Sequence, residues 1–285
     1  MTTKPSEQAT YSHGHHPSVI STHARRTAAD SASFLLPHLK PSHKILDLGC
    51  GPGTITCDLA TQVSGGGSVI GIDAVESILS QARSLAAERK LDNVTFQTGD
   101  ANNLPFEDGS FDVVYCHQLL QHVKDPVGVL REMRRVCKTG GKGIVAAREA
   151  DYSGFAWFPD PPAGEFRDWM KMYLRVARAN GGEPDAGRHL LRWTKEAGWM
   201  TEGAEKEVDL SWSSWCFTGD KARSWAESWA QRALHSDMAK SWVGKGFGKE
   251  EDLKRVSEAW KKWGEGGYGG EMVMVVPNGE VICRC

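Results

Sequence analysis

The chain has 285 residues, of which 40% are hydrophobic, with a formal charge of −2 and a pI near 6.6. This length fits one elaborated α/β domain with a sizeable core. The near-neutral charge excludes a strongly basic protein built for nucleic acid or an anionic membrane. No apolar run approaches the roughly 18 residues that predict a transmembrane helix.

Residues 1–42 are predicted to form an N-terminal extension that acts as a lid. Within it, a helix is predicted over residues 17–36. Tyr11 and Arg25 are candidates to close over a bound cofactor, and either Arg25 or Arg26 could pair with a carboxylate on it. A solvated helix face is the alternative interpretation of both arginines. No secretory signal is expected, because the first residues contain no apolar segment.

Residues 45–54 form the most informative segment. An apolar stretch is followed by glycines at alternate positions, which predicts a buried strand turning sharply into a helix. Doubly wound α/β proteins hold nucleotide-like cofactors on such a unit. The G-x-G-x-G spacing differs from the G-x-G-x-x-G of dinucleotide folds, in which a pyrophosphate lies on the helix N-terminus. The candidate cofactor contacts here are Asp47, Gly49, Cys50, Gly51 and Gly53.

Further strands are predicted in order along the chain. The second ends at Asp73, twenty residues beyond Gly53, where a ribose-binding carboxylate is expected in this topology. The third ends at Asp100, and both acids have an alternative interpretation as cap or turn residues. The fourth and fifth strands complete a cofactor half over residues 43–149. With two later strands, the sequence predicts a doubly wound, mostly parallel, seven-stranded, Rossmann-like α/β sheet.

Residues 150–285 are predicted to supply helical cap insertions and the last two strands, over residues 204–215 and 281–285. Residues 151–164 are rich in proline and aromatic residues, which predicts a lid loop with exposed rings. All eleven tryptophans of the chain lie in this half. Core packing is the interpretation that we favour for most of them, with two or three lining a pocket.

The motifs of residues 43–149 resemble those of class I methyltransferases that use S-adenosylmethionine (SAM), of the ubiquinone/menaquinone-biosynthesis (UbiE-like) type. The resemblance also points to a small-molecule subgroup. It implies that Asp100 accepts from the adenine amino group, that the backbone of Ala101 meets the ring, and that Gln118 lies beside the methionine moiety. Ala74, directly after Asp73, joins the predicted cofactor contacts. The matching segments are Leu46-Asp-Leu-Gly-Cys-Gly-Pro-Gly-Thr, Gly71-Ile-Asp, Gly99-Asp-Ala and Leu104-Pro-Phe-Glu-Asp-Gly-Ser-Phe-Asp.

Methyl transfer needs a general base only when the acceptor atom carries a proton. His117 and His122 flank the helix that is predicted after the fourth strand, and Glu149 follows the fifth strand, so these three are the predicted catalytic residues. His117 is also a predicted cofactor contact, and its alternative role is to cap the helix or to hydrogen-bond on the adenine side.

We therefore predict a SAM-dependent methyltransferase that acts on a small apolar or aromatic metabolite at O, S, N or C. An RNA or protein methyltransferase and a non-catalytic SAM-binding protein remain as alternatives. We expect no metal site, no nucleic-acid partner and no membrane span. Seven scattered cysteines favour reduced thiols and a cytoplasmic location. The oligomeric state stays open.

Overall fold

A computed structural model describes residues 25–199 and 207–285 of the chain. The strands are Lys44–Leu48 (β1), Ser68–Asp73 (β2), Val94–Thr98 (β3), Val113–His117 (β4), Ile144–Ala150 (β5), Ala156–Phe158 (β6), Val208–Thr218 (β7) and Val273–Arg284 (β8). The α-helices are Ala28–Ser31 (α1), Thr54–Gln62 (α2), Glu76–Glu88 (α3), Pro126–Val136 (α4), Glu165–Ala179 (α5), Leu190–Glu196 (α6), Gly219–His235 (α7), Asp237–Gly244 (α8) and Glu250–Gly264 (α9).

The described strands form one sheet in the order β3-β2-β1-β4-β5-β8-β6, and β7 pairs with β8. Strands β1 to β5 are parallel, whereas β8 runs antiparallel to β5, β6 and β7. The chain order reverses between β1 and β4. Ligands of open α/β sheets bind at the carboxyl ends of the strands beside such a switch point. The predicted α/β, doubly wound, mostly parallel sheet is confirmed.

The sheet and helices bury three apolar clusters. Two lie on opposite faces of the parallel strands: one includes Ile45 and Tyr115, the other Leu46 and Val114. The third fills the cap between α5, α7, α8 and α9 and is rich in aromatic rings, including Trp260. No described helix has both the length and the apolar character needed to cross a membrane.

Several predicted element boundaries were wrong. The sheet has eight strands instead of seven, because residues 156–158 pair with β8 as a short strand inside the predicted lid loop. That loop does not expose all its rings, since Tyr152 and Phe155 are buried and Phe158 is exposed. Strand β8 begins at Val273, eight residues earlier than the predicted strand start at residue 281.

The predicted helix over residues 17–36 is also wrong in its described part. The side chain of Thr27 accepts from the backbone N–H of Asp30, and the side chain of Asp30 accepts from the backbone N–H of Thr27. This capping box starts a helix of four residues at Ala28. The rest of the predicted helix, with Tyr11, lies outside the described residues. The predicted division at residues 42 and 149 stays a prediction.

Candidate active site

The glycine loop after β1 meets the backbone demands expected of it. Gly49, Gly51 and Gly53 have φ values of +71°, +53° and +80°. An added Cβ at Gly53 would lie 2.6 Å from the Cβ of Ala82 on α3, so this glycine lets two helices approach. An added Cβ at Gly51 would meet no atom within 4 Å. The loop backbone at Gly51 therefore faces open space, as a cofactor cradle requires.

Asp47 lies beneath this loop on β1 and is buried. The Thr56 hydroxyl donates to its Oδ2 at 2.6 Å. Burial raises the pKa of Asp47 to about 7, although the Thr56 hydrogen bond favours the charged form. The side chain therefore supports the loop from below and is ready to gain negative charge near a cation.

Asp73 ends β2 beside the loop. Its Oδ2 accepts from the backbone N–H of Gly51 at 3.0 Å, and its Oδ1 accepts from the N–H of Val75 at 3.1 Å. These two contacts orient the carboxylate at the end of β2. Of its predicted companions, Cys50 is buried and Ala74 is exposed. The ribose contact of Asp73 stays a prediction.

Asp100 follows β3 at the same end of the sheet. Its Oδ1 accepts from the backbone N–H and the amide of Asn102, at 2.9 and 3.0 Å. Asp100 and Ala101 are both half-buried, just beyond the end of β3. Their contact with an adenine ring stays a prediction.

The end of β4 carries the most unusual backbone in the site. Gln118 has a φ of +51°, a left-handed conformation that non-glycine residues adopt mainly where the surroundings impose it. Its Oε1 accepts from Arg26 at 2.7 Å, and its Nε2 donates to Asn278 on β8 at 3.4 Å. Gln118 thus connects the N-terminal segment, β4 and the last strand.

His117, directly before Gln118, is 6% exposed and lies edge-on to Trp215 of β7, with ring centroids 5.5 Å apart. Neither ring nitrogen has a hydrogen-bond partner among the described residues. Burial lowers the pKa of His117 well below its usual value, and Arg26 and Arg148 lower it further. The imidazole is therefore neutral, and burial and the two cations oppose its protonation. A catalytic role for His117 stays a prediction.

Glu149 occupies a different place from His117. Its carboxylate accepts from the backbone N–H groups of three consecutive residues, at 2.9, 2.7 and 3.2 Å. Burial raises the pKa of Glu149 to about 8, although these donors favour ionisation. The side chain shapes the turn after β4. The three donors are Leu119, Leu120 and Gln121.

His122 ends that turn, and its Nε2 lies 3.0 Å from the side-chain nitrogen of Gln121. Burial lowers the pKa of His122 to about 3, with repulsion from Arg26 as a smaller cause. A catalytic role for His122 or for Glu149 stays a prediction. Arg25, the predicted lid residue, donates to Ser224 of α7, whereas Arg26 reaches the end of β4.

Sequence reasoning missed the buried polar group beside His117. Arg148 of β5 is 1% exposed and donates from Nε to Glu280 of β8 at 3.0 Å. Its guanidinium lies 4.6 Å from the ring centroid of Trp215. The sequence did contain a signal, because two charged residues follow directly after the apolar run Ile144-Val-Ala-Ala. A strand that is buried on both faces is expected to contain no charged residue.

The sheet, its switch point and the glycine loop define the class of protein as a nucleotide-type α/β fold adapted to a cofactor without a pyrophosphate. Comparison with known proteins makes this specific. Residues 39–205 match the family of the methyltransferase domain. An uncharacterized methyltransferase of Schizosaccharomyces pombe is 35% identical over 99% of this chain and 98% of its own.

Two further comparisons agree. A demethylmenaquinone methyltransferase of Lactococcus lactis is 34% identical over 58% of this chain and 60% of its own. A crystal structure from Bacillus halodurans superposes with a TM-score of 0.55 at 18% identity, over 87% of this chain and 96% of that one, which shows the fold. The chain belongs to the class I SAM-dependent methyltransferases, and it is an enzyme whose cofactor is SAM.

Proposed function

We propose that this enzyme methylates a small apolar or aromatic metabolite in a pocket between the end of β4 and the cap. One observation carries the proposal: the neutral imidazole of His117 is buried under Trp215 of the cap, at the strand end where the methyl donor belongs. A deep, aromatic-walled position suits a compact acceptor better than a polymer. The demethylmenaquinone methyltransferases among the similar proteins act, by their name, on such a molecule.

The proposed cofactor site follows the strand ends from β3 to β4. The glycine loop supplies bare backbone, Asp73 takes the ribose hydroxyls, and Asp100 with Ala101 borders the adenine. Gln118 and Arg26 lie at the methionine end, where the guanidinium fits a carboxylate. Bound SAM supplies an electrophilic methyl group on a sulfonium, and the residues around His117 orient the acceptor and exclude water.

Calorimetry with S-adenosylhomocysteine tests the cofactor site. We expect Asp73→Ala to weaken binding at least tenfold, which corresponds to about 1.4 kcal/mol, because both ribose hydroxyls lose their acceptors. Asp92→Ala is the matched control, since Asp92 is exposed in the turn before β3. Equal affinities for the two variants and the wild type would contradict the ribose assignment.

Methylation with isotope-labelled SAM tests the acceptor class. Parallel reactions receive phenols, thiols and amines of low molecular weight, bulk RNA, or a mixed protein fraction. We expect label in one of the small-molecule reactions and none in the polymers. Label confined to RNA or protein would overturn the proposal while leaving the cofactor site intact.

A further inference from the structure

His117 and Arg148 are neighbours across the sheet. They are register partners on the parallel strands β4 and β5, so their side chains leave the same face of the sheet. Both are almost fully buried, with exposures of 6% and 1%. A titratable ring and a guanidinium therefore share one enclosed position at the carboxyl end of the central strands.

Each side chain keeps unused hydrogen-bonding capacity. Both ring nitrogens of His117 and the Nη1 of Arg148 lack a hydrogen-bond partner within residues 25–199 and 207–285. The other nitrogens of Arg148 are engaged, Nε with Glu280 at 3.0 Å and with Ser213 at 3.3 Å, and Nη2 with Ser213 at 3.3 Å. Buried polar groups in native proteins are normally paired, so this cluster offers hydrogen bonds to a group that the described residues do not supply.

Trp215 fixes the geometry of the cluster. Its ring lies against the imidazole of His117 and under the guanidinium of Arg148, and Arg26 lies 5.2 Å from the same ring centroid. The indole N–H donates to the backbone oxygen of Asp30 at 3.0 Å, which holds the ring in place. The residues come from four separated parts of the chain and are held rigidly by the sheet.

The charges around the cluster favour an oxyanion. Arg148 is balanced by Glu280, and Arg26 adds a second cation near the imidazole. Two further acids lie at this strand end: Asp30 acts on Arg148 from the N-terminal segment, and burial raises the pKa of Glu149 to about 8. An ammonium would be repelled by the two arginines, whereas an oxyanion would find donors in the neutral imidazole and in the guanidinium.

We propose, building on the function proposed above, that His117 and Arg148 bind the acidic hydroxyl of the methyl acceptor, which is a phenol or an enol. The acceptor binds as its phenolate or enolate, after its hydroxyl proton has gone to solvent. Its oxygen accepts from the N–H of the neutral His117 ring and from Nη1 of Arg148. In the transfer, the oxygen forms a bond to the methyl carbon as the sulfonium C–S bond breaks, which leaves S-adenosylhomocysteine and the methyl ether.

Binding of 4-nitrophenol to the enzyme loaded with S-adenosylhomocysteine tests the subsite, because the phenolate has its own visible absorption band. In the wild type we expect the apparent pKa of the bound phenol to fall by at least about one unit. His117→Leu and Arg148→Lys should each weaken binding of the phenolate about tenfold, because each removes or displaces one of the two donors to its oxygen.

Two controls keep the result interpretable. His38→Leu and Arg131→Lys change the same residue types outside the cluster, and should leave the titration unchanged. His117→Leu should also raise the melting temperature of the ligand-free enzyme, because it removes two buried nitrogens without partners. The His117→Leu variant therefore still tests the subsite if Arg148→Lys, which disturbs the ion pair with Glu280, fails to fold.

Turnover gives the second readout. With a phenol acceptor, His117→Leu should lower kcat/KM about tenfold, because the bound phenolate loses one of its two donors. A wild-type titration of 4-nitrophenol that both variants reproduce would overturn the subsite. Methylation of amines without any methylation of phenols would also overturn the subsite. If S-adenosylhomocysteine still binds in those cases, the proposed function stands and only the subsite fails.

Discussion

The two halves of the molecule build their parts of the site in different ways. Residues 43–149, the predicted cofactor half, offer backbone and short-range contacts: the loop from Gly49 to Gly53 and the acid Asp73 follow strands directly. Residues 150–285 contribute through contacts between distant parts of the chain, such as Trp215 to His117. The contacts in residues 43–149 can be recognised from local sequence motifs, whereas those from residues 150–285 depend on how the cap folds.

The largest expected effect tests whether the cap has a core of its own. Trp260 is fully buried, stacked on Phe166 with ring centroids 3.9 Å apart and edge-on to Trp169 at 5.0 Å. We expect Trp260→Ala to lower the free energy of unfolding by about 3–5 kcal/mol, because it leaves a large cavity. Urea unfolding followed by tryptophan fluorescence measures this change.

Trp212→Ala is the matched control, since Trp212 is 49% exposed on β7 and its loss should stay within about 0.5 kcal/mol. Calorimetry should find the affinity of Trp260→Ala for S-adenosylhomocysteine unchanged at a temperature where the variant is folded. A loss of cofactor affinity in a folded sample would break the separation between the two halves.

A pair of glycine variants sharpens the same comparison inside the cofactor half. Gly53→Ala combines a left-handed backbone with a Cβ placed 2.6 Å from Ala82, so we expect a loss of about 2–5 kcal/mol in unfolding free energy. Gly51→Ala should cost only about 1–2 kcal/mol, because its Cβ meets open space. Chemical denaturation measures both values.

The same pair should separate stability from binding. We expect Gly51→Ala to lose at least tenfold, or about 1.4 kcal/mol, in affinity for S-adenosylhomocysteine, since the new methyl group projects into the proposed cradle. Gly140→Ala, with a φ of +74° and open space beside it, is the control that changes stability alone. If Gly51→Ala binds as tightly as Gly140→Ala, the cofactor does not lie against this loop.

The same contrast explains what could be predicted from the sequence. The positions of the glycine loop, Asp73 and Asp100 after their strands could be predicted, because they depend on neighbours within a few residues and on one strand order. Arg148 was missed because its partner Glu280 is 132 residues away, and no local rule connects them. Strand β6 was missed because its three residues pair only with a strand more than a hundred residues later.

The last effect concerns pH and tests whether Asp47 and Glu149 stay protonated in the folded enzyme. Burial raises the pKa of Asp47 from 3.8 to about 7 and that of Glu149 from 4.5 to about 8. The folded enzyme therefore holds protons that the unfolded chain releases above about pH 4. Their stabilising contribution is complete below the unfolded pKa values, and it is lost as the pH rises through the folded ones.

We expect the free energy of unfolding to fall between about pH 5 and pH 7, by at most about 1.4 kcal/mol per pH unit for each group. Asp47→Asn keeps an acceptor for the Thr56 hydroxyl and cannot ionise. We therefore expect this variant to show a shallower fall of the unfolding free energy with pH than the wild type. Urea unfolding at several pH values measures the difference. An Asp47→Asn slope equal to that of the wild type would mean that Asp47 is ionised beneath the glycine loop before any cofactor arrives.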